Sequence, residues 1–341
     1  MAFATTIANA ATYELPPEGS DVVGEISTAT TTFDDTLIDI ARRHDVGYQD
    51  IVRANPDVNV WVPGEGTEVV LPTRYVLPAV PRRGIVLNIA EYRLYYFPEP
   101  KGDEPAVVMT YPISIGRMDW ETPLGNTTVI SKVVNPSWYP PQSVRAEHAA
   151  EGRPLGRIVP PGPNNPLGDR AMRLGLPGYL IHGTNRPAGV GMRVTHGCLR
   201  MFPEDIHYLF DRIAVNTPVR IINEPMKIGW QGDALVLEAH PVLASAPGKT
   251  TDEPLPDETV SAEAMPDAPV EVVENSAAES GESPPIEKNP LTSVTEQFVA
   301  ATAERAGELD WSLVEVVISR SDGMPVAVGA GTKNAATSAA F

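Results

Sequence analysis

Between Ala244 and about Asn289 the chain is dominated by Pro, Glu, Ala and Ser, with few large apolar residues. Thr251 to Lys288 alone holds eleven Asp or Glu and one Lys. Such a stretch cannot bury enough apolar surface to offset the entropy of ordering its backbone. The chain is therefore divided: 244–289 is predicted to be a disordered acidic linker, with a small C-terminal α/β unit at 290–341 beyond it. Upstream, enough chain remains for two further units, since 341 residues exceed one typical domain and a 42% hydrophobic content supports a substantial core.

The first periodic unit lies within 28–73. Thr36 and Asp39 make a capping-box pattern, and Leu37, Ile40 and Ala41 recur at helical spacing until His44. A second helix is expected from about Tyr48 to Ala54, stopped by Asn55-Pro56. Alternating segments at Thr30–Phe33 and Glu68–Leu71 can pair as strands, giving a small βααβ unit. The segments Asp35-Thr36-Leu37, Ile40-Ala41, Ala54-Asn55-Pro56 and Val70-Leu71-Pro72 resemble the LysM module. That resemblance implies binding of N-acetylglucosamine glycans such as peptidoglycan. Asp34 departs from it, standing where the family usually has Gly.

From Arg83 the chain becomes a series of short β-rich runs punctuated by Pro, Gly and Asp, which predicts a β-rich, sandwich-like domain over 83–224. Pro140–Pro177 reads as a long excursion over that scaffold, of the kind that commonly carries function. Pro203 suits the first position of a helix that has Glu204 and Asp205 in its first turn. Ile206, Leu209, Phe210 and Ile213 share one face of it, and a strand follows at Val219–Ile222. Residues 225–243 are taken as an extension. The fold class is thus α+β and multi-domain.

The formal net charge is −18, and no long Lys/Arg run offers the basic footprint that nucleic acid requires. Gln142–Arg200 is locally basic, with eight Arg against three acids, which favours an anionic substrate. No window is long and apolar enough for a transmembrane helix. Ala8-Asn9-Ala10 has the A-x-A form of an export cleavage site, so 1–27 is read as a signal-peptide remnant and leader, and the protein as periplasmic.

Cys198 is the single cysteine, so no intrachain disulfide can form. A free thiol is mostly protonated at neutral pH and needs an imidazole or convergent N–H donors to become a nucleophile. Both lie close by. A strand over Gly178–His182 puts Leu180 and His182 on one face, and the Gly/Pro loop after it lets Val194–Cys198 return alongside. His182 is therefore assigned as general base and acid, and Cys198 as nucleophile. Gly197 permits a sharp backbone path that would aim its own N–H and that of Cys198 at one point as an oxyanion hole. His196 would shape and polarise the pocket. No acid lies between Tyr179 and Met201, so the carbonyl of Gly183 is the candidate for orienting His182.

The stretch IHGTNRPAGVGMRVTHGCLRM closely resembles the signature of L,D-transpeptidases of the YkuD type. His182, Gly183, Thr195, His196, Gly197, Cys198 and Arg200 carry the match, although Thr195 stands where Ser is common and other branches have Asn at Arg200. Upstream, NIAEYRLYYF, ISIGRMDWETPLG and NPSWYPPQSVRAEHA are similar to the branch with a LysM module that includes enzymes anchoring Braun's lipoprotein. The resemblance spans about Ala11 to Asn223 and resumes weakly over Pro290–Val328.

It implies attack by the thiolate on the third residue of a peptidoglycan tetrapeptide stem, loss of D-alanine, and resolution of the thioester by an amine. That amine would be a lipoprotein lysine or the diaminopimelate of a second stem. Arg193, Thr195 and Arg200 are the candidate substrate-binding residues, the two arginines suiting a carboxylate. No metal or organic cofactor is expected: zinc on His182, His196 and Cys198 would lack a fourth ligand. Papain-like enzymes place Cys before His, and sortases separate the two widely. Two alternatives stay open, namely hydrolysis of the same stem and a non-catalytic wall-binding protein.

Overall fold

The computed structural model describes residues 11–118, 120–244 and 289–332. The A-x-A motif, nearly all of the acidic linker, and 333–341 lie outside the described residues. The chain begins with β1 (Ala11–Glu14) and β2 (Val22–Gly24). The βααβ unit follows as β3 (Ser27–Thr30), α1 (Leu37–Arg43), α2 (Tyr48–Ala54) and β4 (Glu68–Leu71), with β3 antiparallel to β4.

Thr36 caps α1 reciprocally: its hydroxyl accepts from Asp39 N–H at 3.1 Å, and the Asp39 carboxylate accepts from Thr36 N–H at 3.1 Å. The apolar spacing becomes a small core of Leu37, Ile40, Ala41, Ile51, Val69 and Leu71. The first strand ends at Thr30, ahead of the predicted Thr30–Phe33. The Thr31 hydroxyl donates to the Gly64 carbonyl and Phe33 is exposed, so the alternating pattern does not continue as strand.

β5 (Arg74–Val76) pairs with β2, and the central unit then supplies β6 (Gly84–Asn88), β7 (Arg93–Phe97), β8 (Val107–Pro112), β9 (Ile115–Gly116) and β10 (Gly125–Val134). After α3 (Gln142–Ala150) come β11 (Arg170–Leu174), β12 (Leu180–His182), β13 (Arg193–Thr195) and β14 (Leu199–Arg200). Helix α4 (Pro203–Arg212) and β15 (Pro218–Ile222) complete it. Nine strands form one sheet in the order β1-β8-β7-β6-β15-β10-β11-β12-β14. Within this sheet β15–β6 and β12–β14 are parallel and the other pairs antiparallel.

Two expectations change here. In place of a sandwich of two facing sheets, one sheet curls on itself: Tyr111 near one end and Leu199 at the other share a core with Ile85, Leu94, Met172 and Ile181. Helix α4 fills that core with Ile206, Leu209 and Phe210. Its apolar face is the one expected, and each such side chain contributes about 1.5–3 kcal/mol on burial. Secondly, the described part of the proposed leader is built into the fold. Ala11 faces Thr110 in the main sheet, and Val23 joins Tyr75, Val86, Tyr95 and Val108 in a core on the sheet's other face.

The extension and the C-terminal unit are one module. β16 (Met226–Gln231) and β17 (Ala234–Ala239) form a hairpin, and α5 (Pro290–Ala301), β18 (Gly307–Leu309), α6 (Trp311–Arg320) and β19 (Val326–Gly331) close on it in the order β16-β17-β19-β18. The missing partner of the hairpin is β19, which lies beyond the acidic stretch and pairs Leu235 with Gly329. Trp230, Leu235, Leu237, Val294, Val314 and Val328 are buried together. Among the described residues no helix is long and apolar enough to cross a membrane.

Candidate active site

β12 and β14 run side by side in parallel, with Ile181 opposite Leu199 and His182 opposite Arg200. Ile181 and Leu199 are wholly buried in the core, so strand alternation turns Leu180, His182, Cys198 and Arg200 to the other face. Cys198 precedes Leu199, and therefore sits beside Leu180, offset from His182 by two residues or about 6.6 Å along the strands. The return segment is thus Leu199–Arg200, one step later than the predicted Val194–Cys198.

His182 is buried, with Nδ1 2.7 Å from the Gly183 carbonyl oxygen. A carbonyl can only accept, so this contact assigns the proton to Nδ1 and leaves Nε2 as the basic nitrogen. Burial and then the charge of Arg200 push the imidazole down to about 3. The Cys198 thiol is pushed up to about 11 by its surroundings, against the opposing pull of the Leu180 N–H and Arg200. Both shifts favour a resting pair of neutral thiol and neutral imidazole. Cys198 is half-buried, and its sulfur contacts the Gly178 carbonyl at 3.6 Å.

The turn before the thiol is pinned through its carbonyls. Thr122 donates to the Gly197 carbonyl at 2.9 Å and accepts from Gly116 N–H at 3.2 Å. Thr195 donates to the Cys198 carbonyl at 2.6 Å. Gly197 has φ +94°, and a Cβ there would meet the Tyr179 ring at 2.9 Å, so this position requires glycine. Among the described residues the N–H groups of Gly197 and Cys198 donate to no acceptor.

His196 points elsewhere. Its Nε2 lies 3.0 Å from Glu147 Oε2, and Trp120 packs edge-on against its ring at 5.3 Å. Arg117 forks onto the same carboxylate at 2.7 and 3.0 Å. Arg117 and then His196 hold Glu147 down at about 2. Glu147 belongs to α3, so this cluster pins the long excursion beside the thiol loop.

The arginines divide. Arg200 has a buried Nε with no hydrogen-bond partner among the described residues, and burial followed by the charge of Arg186 lowers its affinity for its proton. Arg193 is otherwise engaged: Nε donates to the Gly116 carbonyl at 3.1 Å and Nη1 to the Ala244 carbonyl at 2.6 Å. Its guanidinium braces backbone, as the buried hydroxyl of Thr195 does. His182, His196 and Cys198 do not converge on one point as ligands. Among the described residues the group with such convergence is Glu91, Glu238 and His240, and there the Lys227 ammonium already lies 2.5 Å from Glu91 and 2.9 Å from Glu238.

A family model described as the L,D-transpeptidase catalytic domain (YkuD) matches residues 82–221. The probable L,D-transpeptidase YcfS of Escherichia coli is 42% identical over 253 residues, covering 72% of this chain and 77% of that protein. The probable L,D-transpeptidase ErfK/SrfK of Salmonella typhimurium is 36% identical over 326 residues, covering 94% and 92% respectively. The chain belongs to the L,D-transpeptidase family. Among solved structures, L,D-transpeptidase 3 of Mycobacterium tuberculosis is similar at 21% identity and a TM-score of 0.30, over 60% of this chain and 95% of that one.

Several residues of this L,D-transpeptidase site were not found from sequence: Glu147, Arg117, Trp120, Thr122 and Tyr179. Their one sequence signal is position, since all lie in or beside the family-like segments ISIGRMDWETPLG and NPSWYPPQSVRAEHA or flank the His182 strand.

Proposed function

We propose that this L,D-transpeptidase acts on peptidoglycan tetrapeptide stems through a Cys198 thioester. The observation that carries the assignment is the side-by-side placement of β12 and β14, which puts a half-exposed thiol and a base of fixed tautomer on one face. As the sulfur attacks the carbonyl carbon of the stem's third residue, its proton passes to His182 Nε2. The carbonyl oxygen becomes an oxyanion, received by the N–H groups of Gly197 and Cys198. Collapse breaks the amide bond, and the D-alanine nitrogen takes the proton from His182. An acceptor amine then attacks the thioester, loses a proton through His182, and releases Cys198 as thiol.

Arg200 is the candidate for the substrate carboxylate, because its buried Nε lacks a partner. His196 acts as a wall, held by Glu147. The βααβ unit at 28–73 is read as a LysM module that holds glycan, and its exposed Phe33 and Trp61 are consistent with a sugar-binding face. The reading as a periplasmic enzyme rests on its wall substrate. The acceptor amine is a lipoprotein lysine or the diaminopimelate of a second stem, with water as the alternative.

Incubating the enzyme with tetrapeptide stems and each amine, followed by product mass spectrometry, tests the reading. D-Alanine release with a new amide supports transfer. Release without one identifies hydrolysis, and no release leaves the non-catalytic alternative.

A further inference from the structure

The βααβ unit is docked on the loop that joins His182 to Cys198. The N–H groups of Tyr48 and Gln49 donate to the carbonyls of Val190 and Gly191 at 3.0 and 3.3 Å. Gly191 has φ +85°, and a Cβ on it would fall 2.3 Å from Tyr48 N. A Cβ on Gly47 would come 3.1 Å from Gly191 Cα, so the two backbones touch where neither residue has a side chain. Beside this contact Arg42 forks onto Glu204 at the start of α4, at 2.7 and 2.8 Å. Arg93 of the main sheet reaches Asp50 of α2 at 3.3 Å, and the Asp45 carboxylate accepts from Ala11 N–H at 3.0 Å.

The loop held in this way runs past the candidate anion site. Gly189 lies against Arg200, since a Cβ on it would come 3.5 Å from Arg200 Nη1. Its carbonyl accepts from the Ser114 hydroxyl at 2.8 Å, and Ser114 exchanges two backbone hydrogen bonds with Arg200 at 2.8 and 3.1 Å. Arg186, at the start of the same loop, is close enough for its charge to act on Arg200.

We propose that the βααβ unit is a positioning part of the catalytic site: by holding Val190 and Gly191 it fixes the 186–191 loop, and so the setting of Arg200, which receives the carboxylate of the stem. This role is separate from any grip on glycan, and it rests on the reading of Arg200 as the carboxylate-binding group.

The test is steady-state kinetics of the full chain on tetrapeptide stems free of glycan, so that sugar binding contributes nothing. Arg42→Glu breaks the ion pair, and Gly47→Val wedges the backbone contact without changing charge. Each is expected to raise KM by about fivefold to tenfold while kcat stays within about twofold. The rate of Cys198 alkylation by iodoacetamide should not change. Combining Arg42→Glu with Glu204→Arg should bring KM back towards the wild-type value. An unchanged KM in either single variant, or no recovery in the charge swap, overturns the proposal. Arg200→Ala tests the underlying reading separately: if it leaves KM unchanged, the carboxylate assignment fails whatever the docking variants do.

Discussion

His182 Nδ1 lies 2.7 Å from the carbonyl oxygen of its own neighbour Gly183, and this short contact sets the tautomer of the ring proposed to serve the thiol. With the imidazole pushed down to about 3 and the thiol up to about 11, both partners are neutral across the working range. No catalytic limb is therefore expected near pH 6.5 in kcat/KM. An acid limb near 6.5 would show instead a ring that titrates in the free enzyme.

The same neutrality governs alkylation. Below the thiol's pKa the thiolate fraction rises tenfold per pH unit, so iodoacetamide should react slowly at pH 7, with a rate climbing about tenfold per unit towards pH 10. A rate already flat at pH 7 would mean a thiolate is present at rest.

Glu147 anchors His196 and Arg117 from α3. As it is partly exposed, its ion pairs should contribute only about 0–1 kcal/mol to stability. Glu147→Ala is nonetheless expected to lower kcat/KM about tenfold or more, because it releases the wall beside the thiol. Thermal melts and kinetics on the same preparation separate the two effects. Equal activity in the variant would remove α3 from the site.

At the join between the main sheet and the C-terminal module, buried Lys227 lies between Glu91 and Glu238. Burial disfavours the Glu238 carboxylate, but Lys227 and His240 outweigh it and hold the group down at about 2. Lys227→Met strands two buried carboxyls and is expected to cost about 3–5 kcal/mol in denaturant titration. For Glu238 the folded pKa is depressed, so its stabilisation is present above pH 4.5 and is lost as pH falls towards 2.

Asp205 shows the reverse sign. Both its oxygens lack a donor among the described residues, and burial together with the neighbouring Asp45 raises its pKa well above the usual value. A group whose folded pKa is raised contributes stability below its unfolded value of 3.8 that is lost as pH rises through the folded one. Asp205→Asn is expected to stabilise the protein by about 1–3 kcal/mol at pH 8 and by less at pH 5. A melting temperature lowered equally at both pH values would contradict this.

The placement of the candidate site was legible where the pattern is local. His182, Gly183, Gly197 and Cys198 lie within one stretch, and alternation along a single strand gave the facing of Leu180 and His182. Glu147 was not legible, because an exposed acid in a Pro- and Gly-rich excursion looks like any solvated charge until α3 carries it to His196. Sequence likewise shows an adjacent histidine but not the surroundings that push the imidazole down and the thiol up. In the fold, the Thr36 cap and the apolar face of α4 are local patterns and were read directly. The closure of β17 onto β19 was missed because the pairing spans the acidic stretch, and sheet partners carry no mark of each other in short windows. Sequence proximity to the thiol likewise does not reveal the two backbone carbonyls, of Gly116 and Ala244, that the Arg193 guanidinium meets.

The most direct measurement is intact-protein mass spectrometry of the enzyme quenched during turnover of a tetrapeptide stem, followed by peptide mapping. The expected result is an adduct of the stem less its D-alanine, mapped to Cys198 and absent from Cys198→Ala together with all transfer. Transfer retained by Cys198→Ala, or an adduct mapped to any other residue, would contradict the assignment.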